Sequence, residues 1–232
     1  MILNGHKIVG EANKLVQTLC PLFGSASNIT EDKAAQSIKN LTWSFDDCHR
    51  DLLKIDQILR LRFGITFRFF VSPLLIDRYS SGSVEFARGQ LRDPTATLLN
   101  WDEIGSLVEN GHILGLHGYD HSDFNFMSSD EIVDQHEQSI ELLYKRLGIY
   151  TDSFAFPFGR VTDTYNVIES NQIIISKGYF DRIYLSDNRL PLFRADHVFN
   201  RRHAEFGNAF IVSFIKGLLQ YRFSYKLKQA VE

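Results

Sequence analysis

From residue 40 onward, short β-prone runs alternate with segments of helical periodicity, and no other property limits the fold as strongly. Leu41-Thr42-Trp43-Ser44-Phe45 is the first β-prone run, after which Leu52, Leu53, Ile55, Ile58, Leu59 and Phe63 recur at helical spacing. Thr66 to Val71 reads as a second strand stopped by Pro73, and the segment between 74 and 99 as an insertion or long loop. Asn100 and Glu103 form a capping-box pattern for a helix carrying Trp101, Ile104, Leu107 and Val108, with Gly111 past its end. Ile113 to Leu116 is the next strand. Ser128 and Glu131 open a second capped helix, with Ile132, His136, Ile140, Leu143 and Leu147 on one face and Gly148 as its stop. Ser153 to Phe156, Phe180 to Leu185 and Leu192 to Ala195 follow as strand candidates. Strands joined by helices in this way lie parallel, which predicts an α/β chain built as an open sheet or a barrel.

The 232 residues suffice for one substantial core, and a formal net charge of −3 provides no global field for nucleic acid or an anionic membrane. Cys20 and Cys48 are too few for a disulfide framework. Met1 to Lys7 lacks a basic region followed by an apolar run, and no stretch reaches the roughly 20 apolar residues of a membrane span, so a cytoplasmic protein is expected. The 19 phenylalanines are about twice the usual share.

Residues able to do chemistry stand directly after the apolar strands. Asp46-Asp47 follows Phe45, His117 follows Leu116 with His121 four residues on, Pro157 to Arg160 follows Phe156, and Asp196-His197 follows Ala195. In parallel α/β folds, sites form at the carboxyl ends of strands, where separate loops converge. Each pair alone has an ordinary reading: adjacent acids cap helices, and two histidines four apart share a helix face. An aspartate with two histidines makes a three-ligand set that leaves coordination positions open, the arrangement of catalytic rather than structural zinc.

Ser44-Phe45-Asp46-Asp47-Cys48 resembles the T/S-F-D-D-G motif of the polysaccharide deacetylase family, the chitooligosaccharide deacetylase-like carbohydrate esterases. Asn110 to Phe124, with His117 and His121, is similar to the family's second motif, and Phe154 to Gly159 to its third. The resemblance covers about residues 40–200. It implies a single-domain distorted (β/α) barrel of about seven strands and metal-dependent hydrolysis of N-acetyl groups on sugars. It further implies that Asp47, His117 and His121 ligate a divalent transition metal, zinc first among candidates. Asp46 would be the general base, and the backbone amide of Phe158 would help hold the oxyanion.

Several positions depart from the family pattern. Cys48 stands where a glycine is usual, and reads as a small buried residue at a helix start or as a thiol facing the site. His49 reads as a helix-surface residue, with an extra ligand or a substrate contact as the other readings. Gly118 replaces a serine or threonine whose hydroxyl braces the loop. Ala155 and Phe156 occupy the place of an arginine that pairs with the base; Arg194 is the candidate substitute and His197 the candidate general acid, with Asp196 beside it. His112 is assigned to structure, and His6, His136 and His203 carry no signal.

The expected organisation is an N-terminal extension over 1–39, a barrel over 40–200 and a C-terminal helix over 201–232. Phe206, Phe210, Ile211, Phe214, Ile215 and Leu218 on that helix would pack on the barrel. The basic residues around it leave peripheral membrane contact as the other reading. An acetylated sugar or glycan is the expected partner, with no nucleic acid and no transmembrane segment. The missing signal and the resemblance together place the activity inside the cell, on precursors of a surface polysaccharide such as O antigen or capsule. Two other functions fit the same residues: an amidohydrolase for a small non-sugar amide, and a non-catalytic carbohydrate-binding homologue.

Overall fold

The computed structural model describes residues 2–5, 42–159, 173–174, 177–185, 198–200 and 202–203. Among these, eight short strands pair in parallel: β1 (Ile2–Gly5), β2 (Thr42–Phe45), β3 (Arg68–Val71), β4 (Ile113–Leu116), β5 (Ser153–Ala155), β6 (Arg182–Leu185), β7 (Val198–Asn200) and β8 (Arg202–His203). Their order across the sheet is β7-β6-β5-β4-β3-β2-β1-β8. Strands β2 to β6 lie side by side in chain order and curl into a parallel half-barrel within one α/β domain. Among the described residues five helices flank it: α1 (Leu52–Phe63), α2 (Pro73–Ser80), α3 (Val84–Leu91), α4 (Trp101–Glu109) and α5 (Ser129–Leu147).

Local signals account for most helix ends. Asn100 and Ser128 each accept from the backbone N–H three residues on, and Glu103 and Glu131 return the bond, so both capping boxes form. Gly64 and Gly148 close α1 and α5 in the left-handed conformation that a residue without Cβ adopts at least cost. The segment between 74 and 99 departs from the expected loop. Pro73 starts α2 instead of merely ending β3, because its fixed φ suits the first helical position. Leu75 and Ile76 turn inward from α2, and Ala87 from α3. Each helix has only eight residues, too short for periodicity to register.

The two faces of the curled sheet differ in kind. Trp43, Phe45, Phe69, Val71, Leu114, Leu116 and Phe154 belong to the large core beneath the helices, all at most 4% exposed. Phe45 meets Phe67 edge-on at 5.2 Å, and Phe154 stacks on Phe180 at 5.3 Å. The phenylalanine excess is therefore mostly packing. Phe70 instead joins Ala155 and Tyr184 on the other face. Gly115 makes room for it: a Cβ at that position would lie 2.5 Å from the Phe70 ring. With a two-residue side-chain period, Asp46 follows Ser44 and His117 follows Gly115 on this inner face, one step past the ends of β2 and β4. The alternation that buries the core thus aims both groups at one end of the half-barrel.

His112 is structural, as expected. Its Nδ1 accepts from the Phe67 N–H at 3.2 Å, its Nε2 donates to Asp56 at 2.7 Å, and its ring stacks on Phe67 at 3.7 Å. Burial alone would push the Asp56 carboxyl up, but the hydrogen bonds from Arg60 and His112 outweigh it and hold the carboxyl below its usual value.

His136, which carried no signal, is fully buried among Phe124, Phe154, Tyr179 and Phe180, and neither ring nitrogen has a hydrogen-bond partner among the described residues. Burial pushes its pKa from 6.5 down to about 3. The unfolded chain therefore binds a proton more readily than the folded one, and stability falls as pH drops below 6.5 toward 3. The penalty approaches roughly 4–5 kcal/mol at the acid end. Urea unfolding across this range should show a flatter pH dependence for His136→Leu than for the wild type; identical slopes would contradict the burial of a neutral imidazole.

Candidate active site

Asp46 and Asp47 continue from β2 into a tight turn. Asp47 has φ 67° and Cys48 φ 50°, two consecutive left-handed residues without glycine. The turn is held from outside by loop 96–99: Leu99 N–H donates to Cys48 O at 3.0 Å and Arg50 N–H to Thr97 O at 2.8 Å. Cys48 thus adopts a backbone conformation that glycine favours, and its thiol points away from solvent, donating to Phe70 O at 3.4 Å. Burial, with the charges of Asp47 and Asp46, pushes this thiol well above its ordinary value, so it stays protonated and is no nucleophile. His49 differs from the expected helix-surface residue. It pairs with Leu98 in an antiparallel bridge ahead of α1, is 5% exposed, and brings Nε2 to 4.0 Å from Asp47 Oδ2.

His117 is placed by the sheet, because its N–H donates to Val71 O at 2.8 Å and extends the β3–β4 ladder by one residue. Its Nδ1 lies 2.7 Å from Ala155 O. A carbonyl only accepts, so the proton sits on Nδ1 and the Nε2 lone pair faces inward. There Nε2 stands 3.5 Å from Asp47 Oδ1, and His121 Nε2 stands 3.1 Å from the same oxygen. His121 reaches this point through a turn with left-handed Gly118 (φ 74°) and His121 (φ 62°). Neighbouring elements brace that turn. Ser72 Oγ donates to His117 O at 2.7 Å, Gln135 accepts from Tyr119 N–H at 2.8 Å and donates to Asp120 at 3.0 Å, and Leu74 N–H donates to Tyr119 O at 2.9 Å. The hydroxyl missing at position 118 leaves no gap, since a Cβ there would already press on Phe124 and Pro157 at 3.2 and 3.3 Å.

Asp47, His117 and His121 therefore converge, with one ligand atom from each within 4.8 Å of the others. An imidazole lone pair facing a carboxylate oxygen is an arrangement of two acceptors, and a cation between them suits it. The Ala155 carbonyl behind His117 Nδ1 fixes the tautomer that leaves Nε2 free to face a cation. Asp46 is 1% exposed at the floor of this end. The Phe158 ring packs edge-on to His121 at 4.7 Å, and its backbone is left-handed, φ 61°. The structure thus brings together Asp46, Asp47, His117, His121 and Phe158, while Arg194, Asp196 and His197 lie outside the described residues, as do 6–39 and 204–232; Arg202–His203, expected to open the C-terminal helix, form strand β8 instead. The reading from sequence did not include Ser72, Gln135 or the Ala155 carbonyl, whose contributions exist only once the strands are side by side.

Two aspartates and two histidines thus stand at or beyond the strand ends of a curled parallel half-barrel, the end where such folds place their sites. The sequence matches the polysaccharide deacetylase family over residues 33–173, more than half of the chain, and the chain belongs to that family, hydrolases that act on amide bonds of acetylated sugars. No curated protein matches it in sequence. Among solved structures, the fold is similar to the Streptococcus pyogenes deacetylase PplD in complex with acetate (TM-score 0.62, 15% identity, covering 93% of this chain and 95% of that one). It is also similar to IcaB from Ammonifex degensii (TM-score 0.55, 18% identity, 88% and 91% covered). The de-N-acetylase from Aggregatibacter actinomycetemcomitans gives a TM-score of 0.58 at 12% identity, with 92% and 98% covered.

Proposed function

We propose that the chain is a metal-dependent sugar N-deacetylase in which Asp47, His117 and His121 hold one divalent transition ion, zinc first among candidates. The observation that carries this reading is the convergence of the two histidine Nε2 atoms on Asp47 Oδ1 at 3.5 and 3.1 Å. A bound ion supplies Lewis acidity to the attacking water and to the acetamide carbonyl. Asp46 takes the proton of the attacking water as general base. The Phe158 backbone N–H donates to the oxyanion that forms on the acetyl carbonyl oxygen. The leaving amine needs a proton, and His197, paired with Asp196, is the group proposed to supply it, with Arg194 acting on Asp46 in place of the arginine absent at 155–156.

The finer architecture belongs to the same proposal. β7 pairs with β6 and β8 with β1, only one residue apart in the chain, which supports a barrel of seven strands in which one extended run joins both edges. The proposed setting is cytoplasmic, on precursors of a surface polysaccharide such as O antigen or capsule. Among the described residues no helix is long and apolar enough to cross a membrane. Acetate release from N-acetylated oligosaccharides tests the reading. It should be abolished by a chelator and restored by zinc. Release that persists in metal-free protein would contradict metal dependence, whereas chelator-sensitive binding of zinc without release from any sugar would favour the non-sugar amide.

A further inference from the structure

Among the described residues, five other than glycine have a left-handed backbone: Asp47, Cys48, His121, Phe158 and Arg92. Four of them build the site above. Strained conformations of this kind persist where surrounding structure enforces them, and they gather at functional sites. The fifth, Arg92, ends α3 at φ 54°, on the hairpin that the sequence pattern leaves unread. Its guanidinium carbon lies 4.6 Å over the Phe158 ring, and that ring lies 4.7 Å from His121, which in turn is 5.1 Å from His117. A chain of contacts, a cation over a ring face followed by two edge-on ring pairs, thus runs from an exposed arginine into the cluster. The loop that carries Arg92 is fastened: Asp93 N–H donates to Arg88 O, Asp93 Oδ1 accepts from both Thr95 N–H and Thr95 Oγ1 at 2.8 Å, and Arg88 Nε donates to Ala96 O at 3.3 Å. Arg88 is engaged by Glu85, whereas Arg92 makes no ion pair with a described residue.

A guanidinium that uses its flat face on an aromatic ring keeps its N–H edge for a bidentate oxyanion, and the ring holds it in place beforehand. We propose that Arg92 is a specificity-determining residue that binds an oxyanion, carboxylate or phosphate, carried beside the acetamido group of the sugar. The inference rests on the deacetylase reading of the neighbouring cluster and deepens it: the substrate class becomes an acidic N-acetylated glycan or a glycosyl phosphate rather than a neutral polymer.

The test is calorimetric binding to the full chain loaded with zinc. The probes are N-acetylglucosamine 1-phosphate, a disaccharide of N-acetylglucosamine and glucuronic acid, and neutral methyl N-acetylglucosaminide. Arg92→Gln should weaken at least one acidic probe by roughly 10- to 100-fold, the range of a charge-assisted hydrogen-bonded pair. The neutral glycoside should lose no more than about threefold, the scale of an exposed charge. Arg92→Lys should recover part of the loss. Arg78→Gln, which removes an arginine stacked on Phe86 of the same hairpin at 5.8 Å, should match the wild type. The acidic probe that responds identifies the source of the oxyanion. Equal weakening of neutral and acidic probes by Arg92→Gln, or no weakening of either acidic probe, would overturn the proposal. Acetate release from the same probes separates the two readings. Arg92-dependent binding without release would sink the deacetylase reading alone, and release with unaltered affinities would sink this inference alone.

Discussion

Asp46→Asn should leave the ion in place and lower acetate release by roughly 100- to 10,000-fold, the usual contribution of a positioned general base. The substitution is nearly isosteric, and Asp46 is 1% exposed, so the amide keeps the shape of the carboxylate while losing its ability to take a proton. The three atoms that converge on the ion position, Asp47 Oδ1, His117 Nε2 and His121 Nε2, are untouched. The effect should appear in kcat rather than KM, because the interaction lost is one made as the proton moves. Steady-state acetate release with zinc content measured on the same samples checks it. Loss of both metal and activity would place Asp46 among the ligands instead, and a loss below tenfold would remove it from the chemistry.

His117→Ala should abolish both metal and activity. His117 is 1% exposed and held at one end by the β3–β4 ladder and at the other by the Ala155 carbonyl, and an alanine methyl offers no lone pair in place of its Nε2. The ion is expected to fall from about one per chain to near zero, since three protein ligands are the minimum for a catalytic zinc site. Wild-type protein in zinc at roughly 1,000 times its Kd should gain about 4 kcal/mol of stability, near 10 °C in Tm for a chain of this size. The variant should show almost none of that gain. A zinc-dependent shift of equal size in His117→Ala would mean that the ion binds elsewhere.

The sequence made the sheet legible because the apolar runs are continuous and the helices that connect them carry strong signals at both ends. Asn100 with Glu103 and Ser128 with Glu131 are four-residue patterns whose hydrogen bonds form within the helix itself. The convergence of three side chains was legible for a related reason: Asp47 and His117 stand just past apolar strands, His121 four residues beyond His117, and parallel strands bring such positions to one end. What was not legible depends on partners distant in the chain. The α2–α3 hairpin consists of two eight-residue helices with no side-chain cap, and α2 packs against both α3 and α5. Arg92 acquires meaning only because that hairpin carries it over Phe158, 66 positions on by sequence number. Cys48 was visible as a departure from glycine, but only backbone geometry shows that it keeps the left-handed turn and turns its thiol away from the site. His136 gave no signal because a histidine on an apolar helix face reads the same whether its ring is wet or enclosed by aromatic neighbours.

The central claim is that one ion sits between Asp47, His117 and His121. Anomalous scattering at the zinc edge from crystals of the full chain grown with zinc tests it most directly. The account predicts a single strong peak at about 2.0–2.2 Å from Asp47 Oδ1, His117 Nε2 and His121 Nε2, with His117 Nδ1 still on the Ala155 carbonyl. A peak elsewhere, or none at zinc concentrations that support acetate release, would contradict it.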